Sequence, residues 1–331
     1  MTSVETSLLG LDQVREARQR IAGSAIRTPL VRLNVLDGPA QIFLKLENLQ
    51  PIGSFKIRGA ANAITHMSPE QLARGVVTAS AGNMAQGVAW RARELGIPCT
   101  VIAPDTAPAT KIAAIERLGG VVVKVPFEQW WQTFQERAFP GVDATFIHAF
   151  DDPHVIAGNG TIALEIVEDL PDVDAIVIPW GGGGLTCGIA TTMRELKPDC
   201  RLFAAEVAGA APLAASLAAG SPQVVDYQPS FVDGIGSKTV FPRMFERARA
   251  LIDGSLVASV DEVAAAVRLI AERNRVVAEG AGACPVACAL SGKAGSGKIV
   301  CIVSGGNIDL HKLCAMFGQQ SSGQQSFGEK P

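Results

Sequence analysis

Lys56 stands in Gly53-Ser54-Phe55-Lys56-Ile57-Arg58-Gly59-Ala60, between two large apolar residues and just after a glycine and a serine that let the chain turn tightly. Such a lysine can pack its stem and leave its ammonium in water. Partly desolvated, it would instead carry a lowered pKa and condense with an aldehyde as a Schiff base. Three further segments could serve such an amine. Ser80-Ala81-Gly82-Asn83-Met84-Ala85-Gln86-Gly87 lies between an apolar run and a helical pattern. Its small residues would leave backbone N–H groups open to a carboxylate or phosphate, unless Ser80 or Asn83 simply caps the helix. Pro179-Trp180-Gly181-Gly182-Gly183-Gly184-Leu185-Thr186 has the same setting with four successive glycines. Without Cβ atoms, their N–H groups can converge on one anion at the positive end of a helix dipole, which favours a phosphate cradle over a flexible loop. Ser304-Gly305-Gly306-Asn307 follows another apolar run. The Ser304 hydroxyl could hydrogen-bond a ring nitrogen without carrying charge, or merely form a turn or cap.

Two nucleotide-like patterns compete with this reading. Gly292-Lys293-Ala294-Gly295-Ser296-Gly297-Lys298 has the GxxxxGK spacing of a phosphate-binding loop, but Ile299 stands where Ser or Thr would hold Mg²⁺, and the segment precedes an apolar run instead of following one. It reads as a turn. Glu206 follows the four glycines at the distance where dinucleotide sites put an acidic residue, which keeps that alternative open. A non-catalytic nucleotide-binding module is thus the competing reading of a different class.

The elements that must position these segments alternate along the chain. Strand-like runs fall at Gln41–Leu46, Gly75–Ala79, Cys99–Ala103, Val121–Val125, Thr145–Ala149, Ala175–Pro179, Arg201–Glu206 and Lys298–Val303. Helical spacing separates them, as in Met84–Leu95, Thr110–Leu118, Val155–Asp169, Leu185–Leu196, Glu262–Arg273 and Ala281–Leu290. Continuous apolar strands between helices indicate parallel sheets covered on both faces, hence an α/β fold. Residues 75–125 read as a compact β-α-β-α-β unit, and a second series runs from about Ala175 to Val303. We therefore expect two domains, each an open parallel-rich sheet flanked by helices, with ligands at the carboxyl ends of the strands.

The chain has 331 residues, 48% of them hydrophobic and 18% charged, which is ample for a core and argues against disorder. A net charge of -3 gives no electrostatic case for nucleic acid or an anionic membrane surface. Mean hydropathy is +0.24, yet no apolar run approaches the ~18 residues of a membrane span. Met1–Leu9 lacks the pattern of a secretory signal. The seven cysteines contain no CxxC pair and suit a reducing cytoplasm. The Gln-, Ser- and Gly-rich stretch from Gly318 to Pro331 is expected to be disordered.

Taken together and in this order, "SFKIRGA", "SAGN-AQG", "GGGGL" and "SGGN" resemble the fold-type II pyridoxal-phosphate enzymes, in their threonine/serine dehydratase and serine racemase branch, over roughly residues 10 to 315. The resemblance implies a large cofactor-binding domain from residues 1–66 and 147–317, a small domain from 67–146, and a homodimer. It makes Lys56 the lysine that condenses with the cofactor and later takes the proton from the substrate α-carbon. Phe55 would pack beside the ring and Asn83 would bond its 3-hydroxyl. Gly181, Gly182, Gly183, Gly184 and Leu185 would hold the phosphate, and Ser304 would face the ring nitrogen. Ser80, Ala81, Gly82 and Asn83 would receive the substrate carboxylate, with Met84, Gly234 and Glu279 lining the site. The implied reaction removes water from L-threonine or L-serine to give a keto acid and ammonia.

Three departures qualify the resemblance. Ala81 stands where racemases carry a second serine, which argues against racemisation. Met84 replaces a usual histidine and, with Trp180, leaves room for a more apolar substrate such as phenylserine; 3-hydroxyaspartate is another alternative. Pro212 stands where a cation site formed with Glu206 and the Ala210 carbonyl would need an acid, so a divalent ion is disfavoured there and a cation requirement stays open.

Overall fold

The computed structural model describes residues 9–318. Most of the segment examined for a secretory signal, and all of the expected disordered tail except Gly318, lie outside the described residues. Gly318 itself ends the helix Leu310–Gly318.

Ten strands form among the described residues: β1 (Leu30–Arg32), β2 (Gln41–Lys45), β3 (Val76–Ala79), β4 (Cys99–Pro104), β5 (Val121–Val125), β6 (Thr145–Phe146), β7 (Ala175–Pro179), β8 (Arg201–Val207), β9 (Gly254–Ala258) and β10 (Lys298–Ile302). They build a six-stranded sheet in the order β1-β2-β10-β7-β8-β9 and a four-stranded sheet in the order β5-β4-β3-β6. Every pairing is parallel except β1 with β2. The α/β class with parallel-rich sheets is therefore observed. β3, β7 and β10 are buried almost throughout, as strands covered on both faces must be.

Alternation across β7 and β10 divides the larger core in two. Ala175, Val177, Ile299 and Cys301 face the helices Val260–Asn274 and Gly280–Leu290. Ile176, Ile178, Val300 and Ile302 face Pro153–Asp169 and Gly184–Leu196. In the smaller sheet Val76 and Val101 pack toward Asn83–Leu95, whereas Val77, Ala79 and Ile102 pack toward Phe127–Glu136. The register Cys301 opposite Val177 carries β10 and β7 to the same sheet edge, where Ser304 and the four glycines follow. Among the described residues no helix is long and apolar enough to cross a membrane.

The structure corrects the strand reading in three places. β1 and β9 were not expected: β1 is three residues long, and β9 is a mostly half-buried edge strand interrupted by glycine and serine. The run Thr145–Ala149 pairs only through Phe146, because the chain then bends to form part of the site. The β-α-β-α-β unit gains β6 as a fourth strand beside β3.

Four buried charged residues tie the elements together. Arg58 and Lys45 interleave with Glu47 and Glu165, two cations against two anions. Burial alone would disfavour each charge, but the carboxylates hold the Arg58 guanidinium above its ordinary pKa, and Arg58 with Lys45 holds Glu165 below its own. Removing one member leaves an uncompensated buried charge. Lys45→Met is therefore expected to cost about 3–5 kcal/mol, read by urea denaturation at neutral pH.

Candidate active site

Lys56 is the first residue of the helix Lys56–Thr65, whose entry is fixed by the Phe55 N–H donating to the Ser304 carbonyl at 2.9 Å. The lysine is half-buried, and its Nζ donates to the Ala149 carbonyl at 2.7 Å while lying 5.1 Å from the Phe55 ring centroid. Burial pushes its pKa down to about 8, with Glu279 pulling in the other direction. The Ala149 carbonyl is itself held in place. His148, which burial keeps neutral with a pKa near 3, accepts from the Phe150 and Asp151 N–H groups through Nδ1. At pH 8 about half of the Lys56 amine is neutral, whereas a solvated lysine reaches that point near 10.4. Acylation of Lys56 in the cofactor-free protein, followed by peptide mass spectrometry, should rise through pH 8 and then level. A midpoint above 10 would mean a solvated amine.

The residue after Ala149 supports the glycine loop. Phe150 fills the space beside Gly182, where an added Cβ would overlap its ring, and its carbonyl would lie 2.8 Å from a Cβ on Gly184. Gly183 has φ +90°, and a Cβ there would run into Trp180. Positions 182, 183 and 184 thus accept only glycine, and the helix Gly184–Leu196 begins directly from them. The first turn of a helix has no internal acceptors for its N–H groups, and here Cys187 N is the first to find one, on Gly183 O at 2.8 Å. The bare N–H groups ahead of it are free to receive an anion.

Gly87 brings a second helix to Lys56, since a Cβ there would lie 3.2 Å from the Lys56 carbonyl. That helix, Asn83–Leu95, starts from Gly82 with no side-chain cap, so the ordinary capping role weighed for Ser80 or Asn83 does not apply. Ser80 Oγ instead accepts from the Gly82 N–H at 3.2 Å. Asn83 Nδ2 donates to Glu279 at 2.9 Å, and its Oδ1 accepts from Asn307 at 2.8 Å. Burial, and then Asp233, push the Glu279 pKa up to about 7 against the hydrogen bond from Asn83 and the charges of Lys111 and Lys56. Gly234 links this group to the cradle: its carbonyl is 3.2 Å from a Cβ on Gly181, and its own Cβ would lie 3.7 Å from Glu279. Ser304 is buried at the end of β10.

Two expected pocket residues lie elsewhere. Met84 is 2% exposed and packs with Ala60, Ile64, Val76 and Val88, so its side chain belongs to the core and does not line a substrate pocket. Trp180 is equally buried, beneath Gly183. Glu206, too, is fully enclosed: it accepts from the N–H groups of Leu213 and Ala214 and from the Ser255 hydroxyl, capping the helix that Pro212 opens. It is thus not available to a ribose, and among the described residues no cluster of three or more His, Cys, Asp or Glu could hold a metal. Lys298 begins β10 and pairs with Asp172, as the turn reading of that glycine-lysine segment requires.

Sequence reasoning missed Ala149, Phe150 and His148. Ala149 acts through a backbone carbonyl that no side-chain type reveals, and Phe150 acts by shape. Asn307 closes the quoted SGGN segment but was given no role. Its position is set by Gly53, where an added Cβ would lie 2.5 Å from its Oδ1.

Backbone N–H groups open to an anion, a desolvated amine held by the residue that precedes the aromatic ring shaping their loop, and a buried serine at the neighbouring strand end fit an aromatic aldehyde carrying a phosphate. The Ser54 hydroxyl, buried beside Gly305 without a partner among the described residues, leaves polar capacity there as well. Fold and site together fit an α/β enzyme whose lysine amine could condense with such an aldehyde. The pyridoxal-phosphate dependent enzyme family model matches residues 21–305, and the chain belongs to that family.

Similar proteins agree. The chain is 40% identical to an L-threonine ammonia-lyase of Thermotoga maritima, over 97% of this chain and 82% of that protein. Among solved structures it is similar to maize serine racemase, with TM-score 0.85, 34% identity and coverage of 94% and 97% of the two chains. It is also similar to threonine deaminase isoform 2 of Solanum lycopersicum, with TM-score 0.81, 33% identity and 94% of each chain.

Proposed function

We propose that the protein is a pyridoxal-phosphate-dependent ammonia-lyase that eliminates water from a small β-hydroxy amino acid of the L-threonine/L-serine class. The observation that carries this reading is the Lys56 amine held at the Ala149 carbonyl beside a loop that admits only glycine at positions 182, 183 and 184. In this reading Gly181, Gly182, Gly183, Gly184 and Leu185 would hold the cofactor phosphate through N–H groups, Phe55 would pack beside its ring, Asn83 would bond its 3-hydroxyl, and Ser304 would meet its ring nitrogen with a neutral hydroxyl. When bound, the cofactor supplies an electron sink conjugated to the substrate α-carbon. The Ala81 and Asn83 N–H groups, left open where Ser80 and Gly82 are already paired, orient the substrate carboxylate. Lys56 Nζ, whose pKa burial lowers to about 8, takes the α-proton in its neutral form. The Cα–H bond breaks, its electron pair forms the Cα–Cβ double bond as the Cβ–O bond breaks, and the hydroxyl leaves as water with the proton that Lys56 took. The resulting enamine, once released, takes up water to give a keto acid and ammonia.

The burial of Met84 and Trp180 removes the two features that favoured a bulkier, apolar substrate, and Ala81 supplies no hydroxyl for reprotonation from the opposite face. Purified protein loaded with pyridoxal phosphate should therefore form keto acid from L-threonine and L-serine faster than from phenylserine or 3-hydroxyaspartate, without accumulating D-serine. Keto-acid assay and chiral chromatography read both. D-serine as the main product would make it a racemase, and phenylserine as the preferred substrate would overturn the small-substrate reading.

The reading includes a division into residues 1–66 with 147–317 and residues 67–146, which the two sheets support, and a homodimer, which sedimentation would test. A cytoplasmic location is supported by seven free cysteines, six of them buried.

A further inference from the structure

Arg58 is fully buried and reaches no part of the cleft, yet it lies in the first turn of the helix that begins at Lys56. Its guanidinium grips two carboxylates at once. Nε and Nη2 donate to the two oxygens of Glu47, each at 2.8 Å, and Nη1 and Nη2 donate to the two oxygens of Glu165 at 2.7 and 3.0 Å. Thr161 Oγ1 accepts the last N–H, on Nη1, at 3.1 Å, and the Ile26 carbonyl shares the Nη2 hydrogens at 3.2 Å. A planar fork can span two carboxylates in this way, whereas an ammonium on a flexible stem cannot. Charge alone does not require the fork, because Glu165 also accepts from Lys45 and Glu47 from Thr28, each at 2.6 Å.

Glu165 belongs to the helix Pro153–Asp169, and the backbones of the two helices touch. A Cβ on Gly158 would overlap the Arg58 carbonyl, and a Cβ on Gly59 would lie 2.9 Å from the Val155 carbonyl. The same helix begins four residues after Ala149, whose carbonyl receives the Lys56 amine. The root of the Lys56 side chain and the acceptor at its tip are thus referred to one frame. We propose that Arg58 is a positioning residue for Lys56, its double carboxylate grip setting the start of the helix so that the amine is aimed at the bound aldehyde. The inference rests on the reading of Lys56 as the cofactor lysine.

Arg58→Lys keeps the charge and loses the fork. Two readouts are compared with the wild type in the full-length protein: the rate at which visible absorbance grows when pyridoxal phosphate meets the cofactor-free protein, and the acylation rate of Lys56 relative to the exposed Lys124 without cofactor. The absorbance rise is expected to slow about tenfold or more, and relative acylation of Lys56 to change by about fivefold, while the affinity for inorganic phosphate stays within about threefold. A folded Arg58→Lys protein with both Lys56 readouts within about twofold of wild type would mean that Arg58 only balances charge, and the proposal fails. Should Arg58→Lys not fold, the charge-balanced pair Arg58→Met with Glu47→Gln is judged by the same readouts. If neither folds, Arg58 serves the fold itself and the positioning role is likewise overturned. A wild-type protein that never develops visible absorbance would instead refute the reading of Lys56, so the two failures are distinct.

Discussion

Lys56→Ala should leave a folded protein that stays colourless with pyridoxal phosphate and loses conversion of L-threonine by about 10⁴-fold or more. Two roles vanish together: the covalent attachment and the base at the α-carbon. The fold should not suffer, because among the described residues the side chain forms no salt bridge and its one hydrogen bond goes to the Ala149 carbonyl. The pH dependence of stability gives an independent check. The Lys56 pKa is near 8 when folded and 10.5 in its ordinary state, so between these values the unfolded chain binds the extra proton and stability rises with pH. Below pH 8 the desolvated ammonium penalises the folded state in full. The alanine variant lacks that penalty, so its advantage over the wild type is largest at pH 8 and below and disappears above 10.5. Absorbance spectra, a keto-acid assay and urea denaturation at two pH values measure these effects. A coloured, active alanine variant would remove Lys56 from the chemistry.

Gly182→Ala should weaken pyridoxal phosphate binding by about 10²-fold or more, close to 2.7 kcal/mol. The new methyl group would overlap the Phe150 ring, so either the ring moves or the loop does. Ring displacement disturbs Phe134 and Phe241, packed 5.6 and 5.0 Å from Phe150 between centroids. Loop displacement turns the N–H groups away from their common focus. Overpacking of this kind costs about 1–3 kcal/mol of stability besides. Gly96→Ala is the control: its φ of +66° strains the helix end, but nothing lies within 4 Å of the added Cβ and the cradle is untouched. Titration of cofactor-free protein with pyridoxal phosphate should separate the two. Wild-type affinity in Gly182→Ala would mean that the loop is not the phosphate site.

Most of the site was readable because its chemistry depends on residue types that sequence displays. A lysine in an apolar setting, glycines between a buried strand and a helix, and a serine after a strand each announce themselves. Their joint placement follows from the parallel sheets, since β3, β7 and β10 all end on the cleft side. What stayed hidden depends on direction rather than type. Met84 adjoins the substrate loop in sequence, but as the second residue of its helix it turns inward to Ile64 and Val88. Trp180 adjoins the glycines, yet it supports them from below. The Ala149 carbonyl and the neutral His148 act through backbone hydrogen bonds that no pattern of side chains encodes. β9 escaped notice because an edge strand needs no continuous apolar run.

Borohydride reduction of the cofactor-loaded protein, followed by peptide mapping, tests the central claim most directly. A stable phosphopyridoxyl group on the peptide containing Lys56, with other lysines such as Lys45, Lys111 and Lys298 unmodified, is the predicted result. An unlabelled Lys56, or the label on a different lysine, would contradict it.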